Sequence, residues 1–100
     1  MSFTKALGGN SLVDNIRVIG VNPGPVDTER IYEILRNRSL KIFGDENHVN
    51  ELLKKYPLGR PAHVHEISDL IAFLVSEKSG YTSGAIITVD GGISSRNSII

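Results

Sequence analysis

Ile16-Arg17-Val18-Ile19-Gly20-Val21-Asn22-Pro23-Gly24-Pro25 is the stretch that decides the architecture. Residues 16–21 are apolar or β-branched at nearly every position, which suits a strand in a parallel sheet covered on both faces. Pro23 and Pro25 each lock φ and Gly24 leaves it free, so the chain must leave the strand's carboxyl end in an irregular, exposed turn.

Outward from that strand, Val64, Ile67, Leu70, Ile71, Leu74 and Val75 mark one face of a helix, with Glu66, Asp69 and Glu77 off it. The pattern predicts a helix ending around Lys78 to Gly80, where a cation precedes a glycine. Ala85 to Val89 forms a second buried-type strand, closed by Asp90-Gly91-Gly92. Strand, helix, strand predicts a right-handed βαβ crossover with parallel neighbours. Two parallel strands and one long helix leave a helical layer missing, so the sequence describes the end of a larger α/β sheet.

Between the first strand and the long helix, residues 29–56 read as an excursion of two short helices. Ile31, Ile34 and Leu35 recur in one, and Val49, Leu52 and Leu53 in the other, with a break at Phe43-Gly44-Asp45. Such an excursion at a strand's carboxyl end is where substrate loops sit. Residues 1–8 read as the end of a helix, broken at Gly8-Gly9-Asn10. Residues 93–100 read as a tail of unassigned structure with a terminal Ile99-Ile100 pair.

The 100 residues make one small domain at most, and 40% hydrophobic content is globular. Lys and Arg number 11 and so do Asp and Glu, which argues against a nucleic-acid partner or an anionic membrane surface. With no cysteine, disulfides, thiolate zinc and thiol nucleophiles are excluded. No apolar run approaches the ~20 residues of a membrane span. A soluble, cytoplasmic domain is expected.

Some groups have ordinary readings. His63 and His65 beside Glu66 and Asp69 alternate at a helix start, which scatters ligands, so no metal is expected. Arg36, Arg38 and Lys41 are followed by Asp45, Glu46 and Glu51, and read as a solvated loop. Thr28, or Asp27 in its place, reads as a cap for the helix that opens at Glu29. Tyr32 reads as a packing residue.

Three stretches together resemble the short-chain dehydrogenase/reductase family. Ile16-Arg17-Val18 with Val21-Asn22-Pro23-Gly24-Pro25-Val26-Asp27-Thr28 is similar to its sixth strand and following loop. Pro57-Leu58-Gly59-Arg60-Pro61 leading into residues 66–74 is similar to the segment before its last crossover helix. Ser79 to Gly84 followed by Val89-Asp90-Gly91-Gly92 is similar to its last strand and C-terminal turn. The resemblance covers roughly residues 3–93 and implies an α/β fold, the C-terminal part of a Rossmann-like doubly wound parallel sheet, in a single partial domain incomplete on its own.

The resemblance also implies an NAD(P)-dependent oxidoreductase moving hydride between NAD or NADP and a carbonyl/alcohol substrate. It implies that Pro23, Gly24, Val26 and Thr28 line the nicotinamide, with the Val26 backbone and the Thr28 hydroxyl on its carboxamide. The family's Gly-x-x-x-Gly-x-Gly turn is lacking: Gly20 and Gly24 are followed by Val26, and Gly80 and Gly84 by Ile86. Its Tyr-x-x-x-Lys pair is lacking too, because Arg36, Arg60 and Ala85 follow Tyr32, Tyr56 and Tyr81 four residues on. The chain is therefore expected to match the C-terminal two-fifths of such an enzyme, with no catalytic residue of its own. Inactivity in isolation follows. The competing reading is a non-catalytic association module, or a truncated remnant, that self-associates or complements an N-terminal half. Homo-oligomerisation is implied through the helix from Ile67 to Ser76 and the strand from Ala85 to Val89. Val64-His65 replaces the family's common Pro-Glu, which takes away a helix-start signal. The residues that choose NAD from NADP belong to the half not matched here.

Overall fold

The computed structural model describes residues 2–96. The chain forms two compact units, one from the stretch up to Pro23 with His65–Val89, the other from Gly24–Val64 with the stretch from Asp90.

In the first unit, β1 (Gly20–Pro23) pairs parallel with β2 (Ile86–Val89), Gly20 opposite Ile86 and Pro23 opposite Val89. The α/β class and the parallel pairing are as the sequence predicts. The first strand begins later than the apolar run does. Val18 bonds instead to the loop before β2: its N–H donates to Ser83 Oγ (3.3 Å) and its carbonyl accepts from Gly84 N–H (2.7 Å). Ladder pairing starts where Gly20 N–H donates to the Ala85 carbonyl (2.9 Å).

Helices lie on both faces of this strand, so the expected missing layer needs correction. Arg17, Ile19 and Val21 face a groove of about 420 Å³ shared with Ile71 and Leu74 of α4 (Val64–Leu74) and with Val75 just beyond it. Ile16 and Val18 face another, of about 400 Å³, shared with Ala6, Leu7 and Asn10 of α1 (Ser2–Ser11). Odd and even residues of an extended chain point to opposite faces, so α1 and α4 flank it. The sheet has only these two strands among the described residues, and the edge of β1 away from β2 has no neighbour.

α1 runs through the expected break at Gly8-Gly9-Asn10. A Cβ on Gly8 would collide with the Gly84 backbone and lie 2.8 Å from the Val18 carbonyl oxygen, so the glycine serves a close backbone approach rather than a turn. α4 starts at Val64 without proline. It stops at Leu74, short of Lys78 to Gly80, and residues 77–79 form a separate 3-10 turn.

In the second unit, the two helices and the break at Phe43-Gly44-Asp45 are as expected, and the first is longer. α2 (Glu29–Phe43) has 15 residues and α3 (Val49–Leu53) has five. Nothing between Arg36 and Phe43 breaks a helix, and the fully buried Leu35 and Ser39 sit one turn apart on its inner face. Gly44, at φ 72°, ends it by donating to the Leu40 carbonyl (2.9 Å). The Ser39 hydroxyl donates to the Asp45 carbonyl and accepts from His48 N–H (3.1 Å), and Leu52 of α3 is buried with it. A 3-10 turn occupies Ile93–Ser95, whereas the Ile99-Ile100 pair lies outside the described residues. No described helix is long and apolar enough to cross a membrane.

Candidate functional site

The loop that leaves β1 is held by a second backbone ladder one residue deep. Ala62 N–H donates to the Pro25 carbonyl (2.8 Å) and Asp27 N–H donates to the Ala62 carbonyl (2.8 Å). This is a parallel bridge between Val26 and Ala62. In that geometry the flanking residues make the bonds, and the bridged residue's own N–H and C=O point the other way. Val26 therefore presents a free donor and a carbonyl side by side. Among the described residues its N–H has no hydrogen-bond partner.

Thr28 stands at the cap position of α2 in extended conformation (φ −133°, ψ 162°), yet its side chain makes no capping bond. Its hydroxyl donates instead to the Val26 carbonyl, a long contact of 3.4 Å. The capping reading of Thr28 fits its backbone only. Pro23 closes β1, and Gly24 begins the loop. The loop thus brings Val26 and Thr28 together as one donor–acceptor–hydroxyl cluster open to solvent, while Pro23 and Gly24 shape the chain that delivers it. A primary carboxamide offers one acceptor and two donors, which this cluster matches group for group.

Next to the cluster, a hydrogen bond to the Asp27 carboxylate holds the Tyr32 phenol above its ordinary pKa, with burial and the Asp27 charge adding. No three His, Cys, Asp or Glu side chains among the described residues could hold a metal ion.

Downstream in the same unit, the Asp90 carboxylate closes the Asp90-Gly91-Gly92 turn. It accepts from Ser94 N–H (2.9 Å) and Gly92 N–H (2.8 Å). Its pKa is held below 3.8, chiefly by the Ser94 amide, with the Ser94 hydroxyl and Gly92 amide adding. A depressed carboxylate stabilises the fold above its unfolded value and loses that contribution as pH falls through the folded one. Wild-type chain should therefore lose more stability than Asp90→Asn as pH falls below about 4. Thermal denaturation of both at pH 6 and pH 3 checks this, and equal losses would refute it.

Two structural residues were not singled out in the sequence. Gly8 lay inside an apparent break. Arg17, the lone cation in an apolar strand, was the one available signal for the other. Its guanidinium binds the carbonyls of Leu74 (2.7 Å), Ser79 (3.1 Å) and Ser76 (3.1 Å) and the Ser79 hydroxyl (2.9 Å), gathering the end of α4.

A family profile described as enoyl-(acyl carrier protein) reductase matches residues 1–94. An uncharacterized oxidoreductase, YmfI of Bacillus subtilis (strain 168), is 36% identical over 91 residues, covering 91% of this chain and 34% of its own. A short chain dehydrogenase family protein of Francisella tularensis superposes with TM-score 0.79 at 31% identity, over 95% of this chain and 40% of that one. L-sorbose reductase of Gluconobacter frateurii, complexed with NADPH and L-sorbose, superposes with TM-score 0.77 at 28% identity, over 96% of this chain and 37% of that one. The chain spans about a third of the length of the curated relatives it matches. On the profile, the identity to its relatives and the shared fold, the chain belongs to the short-chain dehydrogenase/reductase family of oxidoreductases.

Proposed function

We propose that these residues form the C-terminal portion of an NAD(P)-dependent short-chain oxidoreductase and supply the wall against which the nicotinamide lies. The observation that carries the reading is the Val26–Ala62 bridge, which turns the Val26 amide pair outward beside the Thr28 hydroxyl. Val26 N–H would donate to the carboxamide oxygen, and the Val26 carbonyl and Thr28 hydroxyl would accept its N–H₂. The cofactor, when bound, supplies the hydride for a carbonyl/alcohol interconversion. The chain's own groups orient the ring and fix which face it shows. α2 (Glu29–Phe43) and α3 (Val49–Leu53) stand in the substrate-loop position.

No Tyr-x-x-x-Lys pair and no Gly-x-x-x-Gly-x-Gly turn occurs in these 100 residues, so proton transfer and pyrophosphate binding need groups from elsewhere. The reading therefore includes an N-terminal complement in cis or in trans, and cytoplasmic location. The unpaired edge of β1 and the two flanking grooves support that complement. Homo-oligomerisation through residues 67–76 and 85–89 belongs to the same reading. A second reading, association without catalysis, draws support from exposed apolar side chains such as Phe3 (76%), Val75 (74%) and Tyr81 (97%).

Titration of the ¹⁵N-labelled chain with reduced nicotinamide mononucleotide tests the first reading. Millimolar ligand should shift the Val26 and Thr28 amides ahead of all others, with no NADPH oxidation when a ketone is added. Shifts scattered over the chain, or turnover by the chain alone, would overturn it.

A further inference from the structure

The loop bearing Val26 owes its geometry to Ala62, and what places Ala62 is unusual. Four residues earlier, Leu58 has left-handed backbone (φ 58°, ψ 14°), followed by Gly59 at φ 69°. A leucine is rarely found there, and only surroundings that over-determine the conformation keep it so. Its side chain, 87% exposed, cannot be what holds it. The constraint comes from the backbone on either side. Gly59 N–H donates to the Tyr56 carbonyl (2.8 Å), and Arg60 N–H to the Pro57 carbonyl (3.3 Å).

Pro57 in turn sits directly against Gly91. A Cβ on Gly91 would stand 2.5 Å from Pro57 Cβ and 2.8 Å from Pro57 Cγ, atoms of a ring that cannot rotate aside. Gly91 itself is at φ 63°, which excludes most side chains independently. A second tie runs alongside: Arg96 Nη1 donates to the Lys55 carbonyl (2.8 Å). Residues 90–96 thus form a seat for residues 55–57, and all these groups belong to the second unit.

We propose that Gly91 is a positioning residue for the Val26–Thr28 cluster. It fixes Pro57, the Leu58-Gly59 turn converts that position into the placement of Ala62, and the two Ala62 backbone bonds set the loop. Its functional meaning rests on the nicotinamide reading above; its mechanical content does not. The turn closing β2 is on this account part of the cofactor wall, acting through Pro57 and Ala62.

Amide hydrogen exchange on the ¹⁵N-labelled chain tests the proposal. In Gly91→Ala, the amides of Asp27 and Ala62 should exchange about tenfold faster or more, while the Gly44 amide, which caps α2 in the same unit, keeps its wild-type rate. In a Pro57→Gly background both clashing atoms are gone, and Gly91→Ala should add only the local strain of its positive φ there, with no further loss of protection at Asp27 and Ala62. Unchanged Asp27 and Ala62 exchange in Gly91→Ala would overturn the proposal. Should Gly91→Ala lose protection throughout, Pro57→Gly alone decides: selective loss at Asp27 and Ala62 supports the brace, uniform loss or none refutes it.

A second readout separates positioning from mere stability. Folded Gly91→Ala should need about tenfold more reduced nicotinamide mononucleotide to shift the Val26 amide, a change of about 1.4 kcal/mol. Equal titration curves for folded Gly91→Ala and wild type would overturn the proposal. If the ligand shifts neither Val26 nor Thr28 in the wild type, the nicotinamide reading fails, and the exchange result still decides the brace.

Discussion

Gly8→Ala should destabilise the chain by about 3 kcal/mol, at the severe end of what overpacking costs. The neighbours of the added methyl are the Gly84 backbone nitrogen and Cα and the Val18 carbonyl, none of which can swing away like a side chain. They are also tied in place: Ser83 Oγ donates to the Gly8 carbonyl (2.7 Å), and Gly84 N–H to the Val18 carbonyl (2.7 Å). The sign of the effect is diagnostic. Alanine is favoured over glycine inside a helix by about 1 kcal/mol, so a glycine that merely weakened α1 would give a more stable mutant. Gly9 supplies the control, because nothing lies within 4 Å of the Cβ it would carry. Urea denaturation of Gly8→Ala and Gly9→Ala should therefore move the midpoint in opposite directions. Two shifts of the same sign would mean that the contact between α1 and the loop before β2 is wrong.

Arg17→Met should cost about 2–4 kcal/mol and lower the melting temperature by roughly 10–25 °C. Methionine keeps the apolar stem and removes only the guanidinium. The carbonyls of Leu74, Ser76 and Ser79 then lose their shared donor at the end of α4, where the last helical carbonyls have no partner within the helix. The helix dipole also places partial negative charge at that end, which the guanidinium offsets. Ser79 Oγ still reaches the Leu74 carbonyl (2.6 Å), so the end is not wholly stripped. Arg17→Lys should recover about half the loss, since a single compact ammonium nitrogen lacks the planar fork whose Nη1 and Nη2 reach these carbonyls from two positions. A melting temperature unchanged within 2 °C (roughly a third of a kcal/mol) in Arg17→Met would show that solvent replaces the clamp at no cost.

How much of this was legible in the sequence differs by element. The α4 helix and β2 were plain, because period 3.6 and an unbroken β-branched run are local signals. The loop from Pro23 to Thr28 was legible as a turn, since two prolines and a glycine dictate it, and the family resemblance gave it a role. What failed was whatever depends on partners distant in the chain. Gly8 looks like a breaker until Gly84 is placed beside it. The strand looks longer than β1 because Val18 bonds to a loop rather than a strand, which no periodicity encodes. The excursion's two helices and the break at Phe43-Gly44-Asp45 were legible, whereas the 15-residue length of α2 was not, because Ser39 is buried by bonds to Asp45 and His48 beyond that break. In the site, Val26 and Thr28 were nameable by position, but the Ala62 bridge that turns the Val26 amide outward was not.

The first unit is discontinuous in the chain, and that has a kinetic consequence. The bonds that complete it join residues 57, 62 and 75 positions apart: Arg17 to Leu74, Arg17 to Ser79, and Ser83 to Gly8. Each closes a long loop before it gains anything, so these contacts form late and slowly compared with a local helix. On a ribosome, α1 and β1 emerge ahead of residues 65–89 and must wait until Ser83 and Gly84 are synthesised before their bonds to these can form. Throughout that interval the apolar run from Ile16 to Val21 lacks its partners in residues 65–89, and the second unit, largely contiguous from Gly24 to Val64, is made meanwhile. The order of synthesis thus runs opposite to the order in which the first unit can close.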